Sequence, residues 1–315
     1  MRRDYIDTGY IPKDTDLTCE FHIEPSAGVD FEEAATNMAG ESSIDSWTEI
    51  STLSPELAAK LKPHVFYVDE GSQTVRVAYS EELFELGSVP QVLSAVAGNI
   101  MSMKIVDNLR LQDIAFPKSM LREFKGPKFG LPGVRKLTGV EDRPLIGTIV
   151  KPKVGLNSEK HAEVAYNSFV GGCDLVKDDE NLTDQKFNSF EKRAELTLKL
   201  AEKAEAETGE RKMYICNITA PTCKEMIRRM NVLKDLGAHY AMIDIVPAGW
   251  TALQTLREEV EDTDLVLHAH RCMHSAYTRN PRHGISMLVV AKLCRLIGLD
   301  QLHIGTVVGK MHGEK

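Results

Sequence analysis

The sequence has no apolar run approaching the ~18 residues that a membrane-spanning helix needs. Its N-terminus, MRRDYIDTGYIPKDTDL, lacks the apolar core of a signal peptide. Basic residues are dispersed, and no Lys/Arg-rich run is interleaved with the few aromatics, which are 6% of the chain. Nucleic acid is therefore not an expected partner, and the net charge of −8 mainly favours solubility. The six cysteines (Cys19, Cys173, Cys216, Cys223, Cys272, Cys294) form neither a CxxC pair nor a zinc-type spacing. Several lie in apolar, strand-like segments where buried thiols are common. These absences together predict a reduced, cytoplasmic protein without membrane contact.

What is present suits a folded globular chain: 315 residues, 43% hydrophobic and 27% charged. Residues 1–126 read as a mixed α+β unit. LTCEFHIEP (17–25) predicts a strand and FEEAATNMAG (31–40) a helix. HVFYVDE (64–70) and TVRVAYS (74–80) flank Gly71-Ser72 as a hairpin, and SVPQVLSAVAGNI (88–100) has helical spacing. KGPKFGLPG (125–133) concentrates glycine and proline as a linker would.

From residue 127 to 315 the pattern changes. Apolar strand-like runs recur at PLIGTIVKP (144–152), CDLVKDD (173–179), MYICNIT (213–219), YAMIDIV (240–246), LVLHAHR (265–271) and LHIGTVV (302–308). Helical candidates lie between them at 189–207 and 222–237, the second closing on a glycine. Repeated βα units with nearly continuous apolar strands predict a parallel sheet covered by helices. A (β/α)8 barrel and an open doubly wound sheet both fit. No GxGxxG follows the first strand, which favours a TIM-type barrel with about six βα units present.

In such a barrel the chemistry sits at the C-terminal strand ends. Lys151 and Lys153 close the first strand, and Lys177, Asp179 and Glu180 the second. His268, His270 and Arg271 close the fifth, and His303 lies in the sixth with Lys310 in the loop after it. Residues two apart on a strand share a face, so each of these pairs is able to point into one cavity. A solvated face remains the ordinary fate of any single charged pair.

Lys177 allows two readings. Desolvation favours its neutral amine, which adds carbon dioxide to give an anionic carbamate. With Asp179 and Glu180 that is an all-oxygen set suited to Mg²⁺. A plain ion pair with Asp178 or Asp179 competes equally. His268-Ala269-His270 is ambiguous too: HxH suits zinc, as in a metal-dependent barrel hydrolase, or one neutral histidine serves as a base beside a phosphate-gripping Arg271. Lys151, near Lys153, is a candidate base for abstracting a proton next to a carbonyl. His274, His283 and His312 are read as structural or exposed.

GTIVKPKVGL (147–156), GGCDLVKDDENL (171–182), LHAHRCMH (267–274) and HIGTVVGKMHGE (303–314) together closely resemble the large chain of ribulose-1,5-bisphosphate carboxylase/oxygenase, RuBisCO. KDTDL (13–17), GESSIDSW (40–47) and AGNI (97–100) match that family's N-terminal domain in the same order. Ile149, where the plant type has threonine, points to the microbial forms II and III, which work without small subunits. The resemblance implies carboxylation of ribulose 1,5-bisphosphate to 3-phosphoglycerate through an enediolate at a Mg²⁺ site. Oxygenation by O2, a monooxygenase activity, competes with the lyase reaction. Lys177 would carry the activating CO2 as a carbamate and hold Mg²⁺ with Asp179 and Glu180. Lys151 would act in enolisation, with Lys153 shaping the proton relay. His270 would assist hydration, while Arg271 and His303 would bind one phosphate. Lys310 would lie on a lid and stabilise the new carboxylate. Glu41, Ser46, Trp47 and Asn99 match residues supplied by a neighbouring subunit, so the resemblance implies a homodimer or an oligomer of dimers.

Two βα units of an eight-fold barrel are missing before Lys315, which gives the expectation of a C-terminally truncated chain. Two alternatives accompany the carboxylase reading: a RuBisCO-like enolase or isomerase, and a non-catalytic fragment. Retention of His270, His303 and Lys310 argues against the first of them.

Overall fold

The structure is a computed structural model that describes residues 5–46 and 50–305. It divides into two compact units.

The first unit holds an antiparallel sheet built from β1 (Asp16–Pro25), β2 (His64–Asp69), β3 (Thr74–Ser80) and β4 (Val106–Ala115). Alternation makes β1 a strand: Leu17, Cys19, Phe21 and Ile23 are buried, while Thr18, Glu20, His22 and Glu24 between them are less so. The hairpin expected at Gly71-Ser72 joins β2 to β3, with Val68 opposite Val75. The helix Phe31–Glu41 is capped by Asp30, which accepts from the Glu33 N–H, and buries Phe31, Ala34, Ala35 and Met38. Residues 274–296, distant in sequence, group with this unit. Their short strand, Gly284–Ile285, pairs in parallel with β4.

The second unit runs from Gly126 to Met273 and returns at Ile297–Ile304. Its strands, labelled here in chain order, are β5 (Gly147–Ile149), β6 (Leu175–Lys177), β7 (Met213–Asn217), β8 (Tyr240–Asp244), β9 (Val266–His270) and, after Gly284–Ile285 as β10, β11 (Gln301–His303). Spatial order follows sequence order: β5, β6, β7, β8, β9, β11, all pairs parallel. A doubly wound sheet would reverse direction at a switch point. Uninterrupted succession, with the right-handed crossovers that parallel strands require, puts the connecting helices on one face, as in a barrel. The fold is thus an N-terminal α+β domain followed by a (β/α)8-type barrel, of which the described residues supply six parallel strands.

Strand pleating then assigns the faces. Val134, from the helix Gly130–Thr138, packs with Met213, Ile215, Tyr240, Met242 and Val266. These strand residues share parity with Asn217, Asp244 and His270, so the inner face is apolar at one end and polar at the C-terminal end. The opposite face carries Val176, Tyr214, Cys216, Ala241, Ile243, Leu267 and Ala269, all buried beneath helices. Two expectations change. The presumed linker 125–133 runs into the helix starting at Gly130, whose Val134 fills that inner face. The first barrel strand is also shorter than expected, Gly147–Ile149, so Lys151 and Lys153 lie in the loop beyond it.

Candidate active site

Backbone parity splits the KDDE run. Lys177 is the last residue of β6 and faces the polar end of the inner surface, where its Nζ lies 3.7 Å from Met242 Sδ. Asp178 points the opposite way and is fully buried. It accepts from Arg193 Nε at 3.1 Å, from the Tyr214 hydroxyl and from the Asn217 N–H at 3.0 Å, with His161 Nε2 at 3.1 Å. Burial alone would raise its pKa; Arg193 and His161 hold it well below the usual carboxylate range.

Asp179 is engaged elsewhere. Its Oδ2 accepts from Lys151 Nζ at 2.6 Å, and its Oδ1 from the Asn181 N–H and Nδ2. Against the raising effect of burial, these bonds lower its pKa. The ion pair expected as the plain alternative, Lys177 with Asp178 or Asp179, is therefore not the arrangement found. Each acid has another cation, and Lys177 keeps Glu180 Oε2 at 4.0 Å and donates to the Asp178 carbonyl at 2.7 Å. Burial lowers the Lys177 pKa despite the neighbouring carboxylates.

His270 stands at the end of β9, paired in register with Asp244 of β8. Its Nε2 is 3.7 Å from Glu180 Oε2, its Nδ1 is 3.4 Å from Asp244 Oδ1, and Nδ1 accepts from the Cys272 N–H at 3.2 Å. His303 crosses it edge-on at 5.1 Å between ring centroids. Desolvation takes the pKa of His303 down to about 4 and that of His268 to about 3. His268 places Nδ1 3.2 Å from Gln301 Oε1, and its Nε2 is buried. Among the described residues no group of three His, Cys, Asp or Glu is arranged to hold a metal ion, so HxH is not part of a conventional zinc set. A set made of two carboxylates and a modified lysine is a different case, and Lys177 at the end of β6, with Asp179 and Glu180 directly after it, has the donor chemistry for it.

Of the other expected residues, Arg271 is buried directly after β9 and Lys153 is exposed after β5. Glu41 ends the helix Phe31–Glu41, the Ser46 N–H donates to Asp45 Oδ1, and Asn99 opens a 3₁₀ turn, all in the first unit. Trp47 and Lys310 lie outside the described residues, as does His312. His274 bonds Thr278 Oγ1 at 2.8 Å, and His283 Nδ1 accepts from the Leu109 N–H, both structural contacts.

Asn217 and Asp244 escaped the sequence reading. The Asn217 amide donates to the Glu180 carbonyl at 3.3 Å and to Asp244 Oδ2 at 3.2 Å. The signal was available: MYICN and YAMID are apolar runs ending in a polar residue, the same pattern as LVK and LHAH.

Two family models match the chain: the ribulose bisphosphate carboxylase large chain N-terminal domain over residues 4–120 and the catalytic domain over 130–315. Ribulose bisphosphate carboxylase of Methanosarcina barkeri is 91% identical over 315 residues, covering 100% of this chain and 74% of the relative. That of Methanocaldococcus jannaschii is 50% identical, over 98% of this chain and 73% of the relative. Among solved structures, octameric Rubisco of Pyrococcus horikoshii, crystallised with sulfate, aligns with a TM-score of 0.93 at 49% identity, covering 98% of this chain and 73% of that one. A dimeric archaeal Rubisco from Hyperthermus butylicus aligns with a TM-score of 0.90 at 44% identity, covering 96% and 71%.

Proposed function

Since the chain belongs to the ribulose bisphosphate carboxylase large-chain family, we propose that it carboxylates ribulose 1,5-bisphosphate to 3-phosphoglycerate. The observation that carries the reading is the state of Lys177. It is buried, its pKa is lowered, and the two aspartates that follow it are bound to other cations. Such an amine is neutral more readily than an exposed lysine and is free to take up CO2 as a carbamate.

With Asp179 and Glu180 the carbamate would hold Mg²⁺ through oxygens. The ion would polarise the substrate carbonyl and offset negative charge as it develops. Lys151 then has to leave Asp179, which its exposure permits, and it becomes the amine that moves the proton at the carbon next to the carbonyl. Lys153 tunes that relay. His270, braced beside Asp244, orients water for hydration of the carboxylated intermediate. Arg271 and His303 take one phosphate, the histidine as a neutral donor. Lys310 stabilises the new carboxylate.

Glu41, Ser46, Trp47 and Asn99 would come from a second copy, in a homodimer or a larger assembly of dimers. The dimeric and octameric solved relatives support this. Competing oxygenation by O2 belongs to the proposal, since the Pyrococcus horikoshii relative is named for both reactions. We further assign residues 1–126 to the N-terminal domain, 127–315 to the barrel, and the protein to the cytoplasm; among the described residues no helix is long and apolar enough to cross a membrane.

Carbon-13 NMR of the protein under ¹³CO2 and Mg²⁺ tests the reading. A carbamate resonance that vanishes in Lys177→Ala, together with Mg²⁺-dependent carboxylation, is expected. Full carboxylation by Lys177→Ala would overturn it.

A further inference from the structure

The three acids of KDDE are held by two different systems. The ion pairs described above act on side chains. A separate joint, made by one uncharged residue, reaches the Asp178 side chain and the Glu180 backbone carbonyl. Asn217 ends β7 on the inner face and is fully buried. Its backbone N–H donates to Asp178 Oδ2 at 3.0 Å, on the N-terminal side of Asp179. Its side-chain Nδ2 donates to the Glu180 carbonyl at 3.3 Å, on the C-terminal side. The same Nδ2 reaches Asp244 Oδ2 at 3.2 Å, and Oδ1 accepts the Thr219 N–H at 3.0 Å. Asp179 is thus bracketed by two bonds from one residue, which is in turn tied to β8 through Asp244.

We propose that Asn217 is a positioning residue for the divalent-cation site, fixing where the Asp179 and Glu180 carboxylates sit relative to Lys177. The inference rests on the magnesium-carbamate reading of that site. Physical reason favours an amide here. A buried amide donates to two acceptors without adding charge, whereas a lysine would bring a second ammonium beside the cation. A hydroxyl has one proton and would leave either the Glu180 carbonyl or Asp244 without its donor. Asp244 already has one buried oxygen, Oδ1, without a hydrogen-bond partner, so losing the Asn217 bond would strip its other oxygen as well. Partners of this kind typically change metal affinity by ~10–100-fold when removed.

The test is Mg²⁺ affinity under saturating CO2, read by competition with Mn²⁺ in electron paramagnetic resonance, alongside the melting temperature. Asn217→Ala should weaken Mg²⁺ binding ~10-fold or more. Thr263→Ala is the control. It also breaks a buried hydrogen bond, from Oγ1 to the Val260 carbonyl at 2.8 Å, but precedes β9 at the far end of the sheet. It should lower the melting temperature and leave Mg²⁺ affinity unchanged. Should Asn217→Ala fail to fold, Asn217→Ser keeps one donor and should give an intermediate loss. Parent-like Mg²⁺ affinity in whichever Asn217 variant folds, with only a lowered melting temperature, makes the residue merely structural and overturns the proposal. If the parent protein itself takes up no Mg²⁺ under CO2, the carbamate reading falls and takes this inference with it.

Discussion

Lys151 Nζ lies 2.6 Å from Asp179 Oδ2, and the two partners differ sharply in freedom: the lysine side chain is 60% exposed and the aspartate 2%. The aspartate is fixed, and the lysine is the member able to move. A divalent cation approaching Asp179 competes with Lys151 for the same oxygen. Lys151→Ala is therefore expected to bind Mg²⁺ at least as tightly as the parent while losing ~100-fold or more in turnover, the range typical for a positioned acid–base group. Mg²⁺ titration and steady-state rates on the same preparation check this. Weakened Mg²⁺ binding in Lys151→Ala would mean that the ion pair builds the site rather than blocks it.

Lys177 makes a prediction about stability in alkali. Burial lowers its folded pKa from the ordinary lysine value of 10.5, so between the lowered value and 10.5 the unfolded chain binds more protons than the folded one. Stability without metal or CO2 should rise with pH across that window, and the penalty should be fully present below it. Lys177→Met removes the group and should flatten this part of the profile. Denaturant midpoints over the alkaline range provide the measurement, and an unchanged slope in the variant would count against a desolvated lysine.

How far the sequence revealed this site depends on the type of information. Apolar runs and βα alternation were legible because they are local and periodic. The partners were not. Nothing near Asp178 in sequence announces that Arg193, fifteen positions on, is its counterion, since that requires knowing that the helix Phe190–Thr208 covers the outer face of β6 and β7. Parity arguments also failed at Lys151 and Lys153, because β5 ends at Ile149 and strand alternation does not extend into the loop. Residues 274–296 illustrate the same limit at larger scale: the pairing of Ile285 with Leu111 is a long-range choice that no local pattern encodes.

The Asp178–Arg193 pair has no exposed surface on either side chain. Arg193 also donates to the Asn188 carbonyl at 3.0 Å and the Thr183 carbonyl at 2.7 Å, closing the loop that follows the KDDE run. Arg193→Met leaves a buried carboxylate without its cation and should destabilise the protein by about 3–5 kcal/mol. The double change Asp178→Leu with Arg193→Met removes both charges and should recover part of that loss, though the loop carbonyls stay without their donor. Urea unfolding of the single and double variants decides. Equal stability of Arg193→Met and the parent would show that the pair contributes nothing.

His268 supplies the clearest pH signature in the acid range. Burial brings its pKa to about 3 from the ordinary histidine value of 6.5. The folded state then holds fewer protons than the unfolded state between those values. The contribution is fully present above pH 6.5, and stability falls as pH drops toward 3, by about 1.4 kcal/mol per pH unit where the difference is complete. His303, taken down to about 4, adds a second contribution of the same sign. Replacing the buried ring with His268→Phe should remove one of the two slopes while leaving the other. Proton NMR gives an independent readout, since the His268 ring resonances should not titrate above pH 5 in the folded protein. A His268 titration near 6.5 would mean that solvent reaches the inner end of β9, and the neutral histidine inferred there would have to be given up.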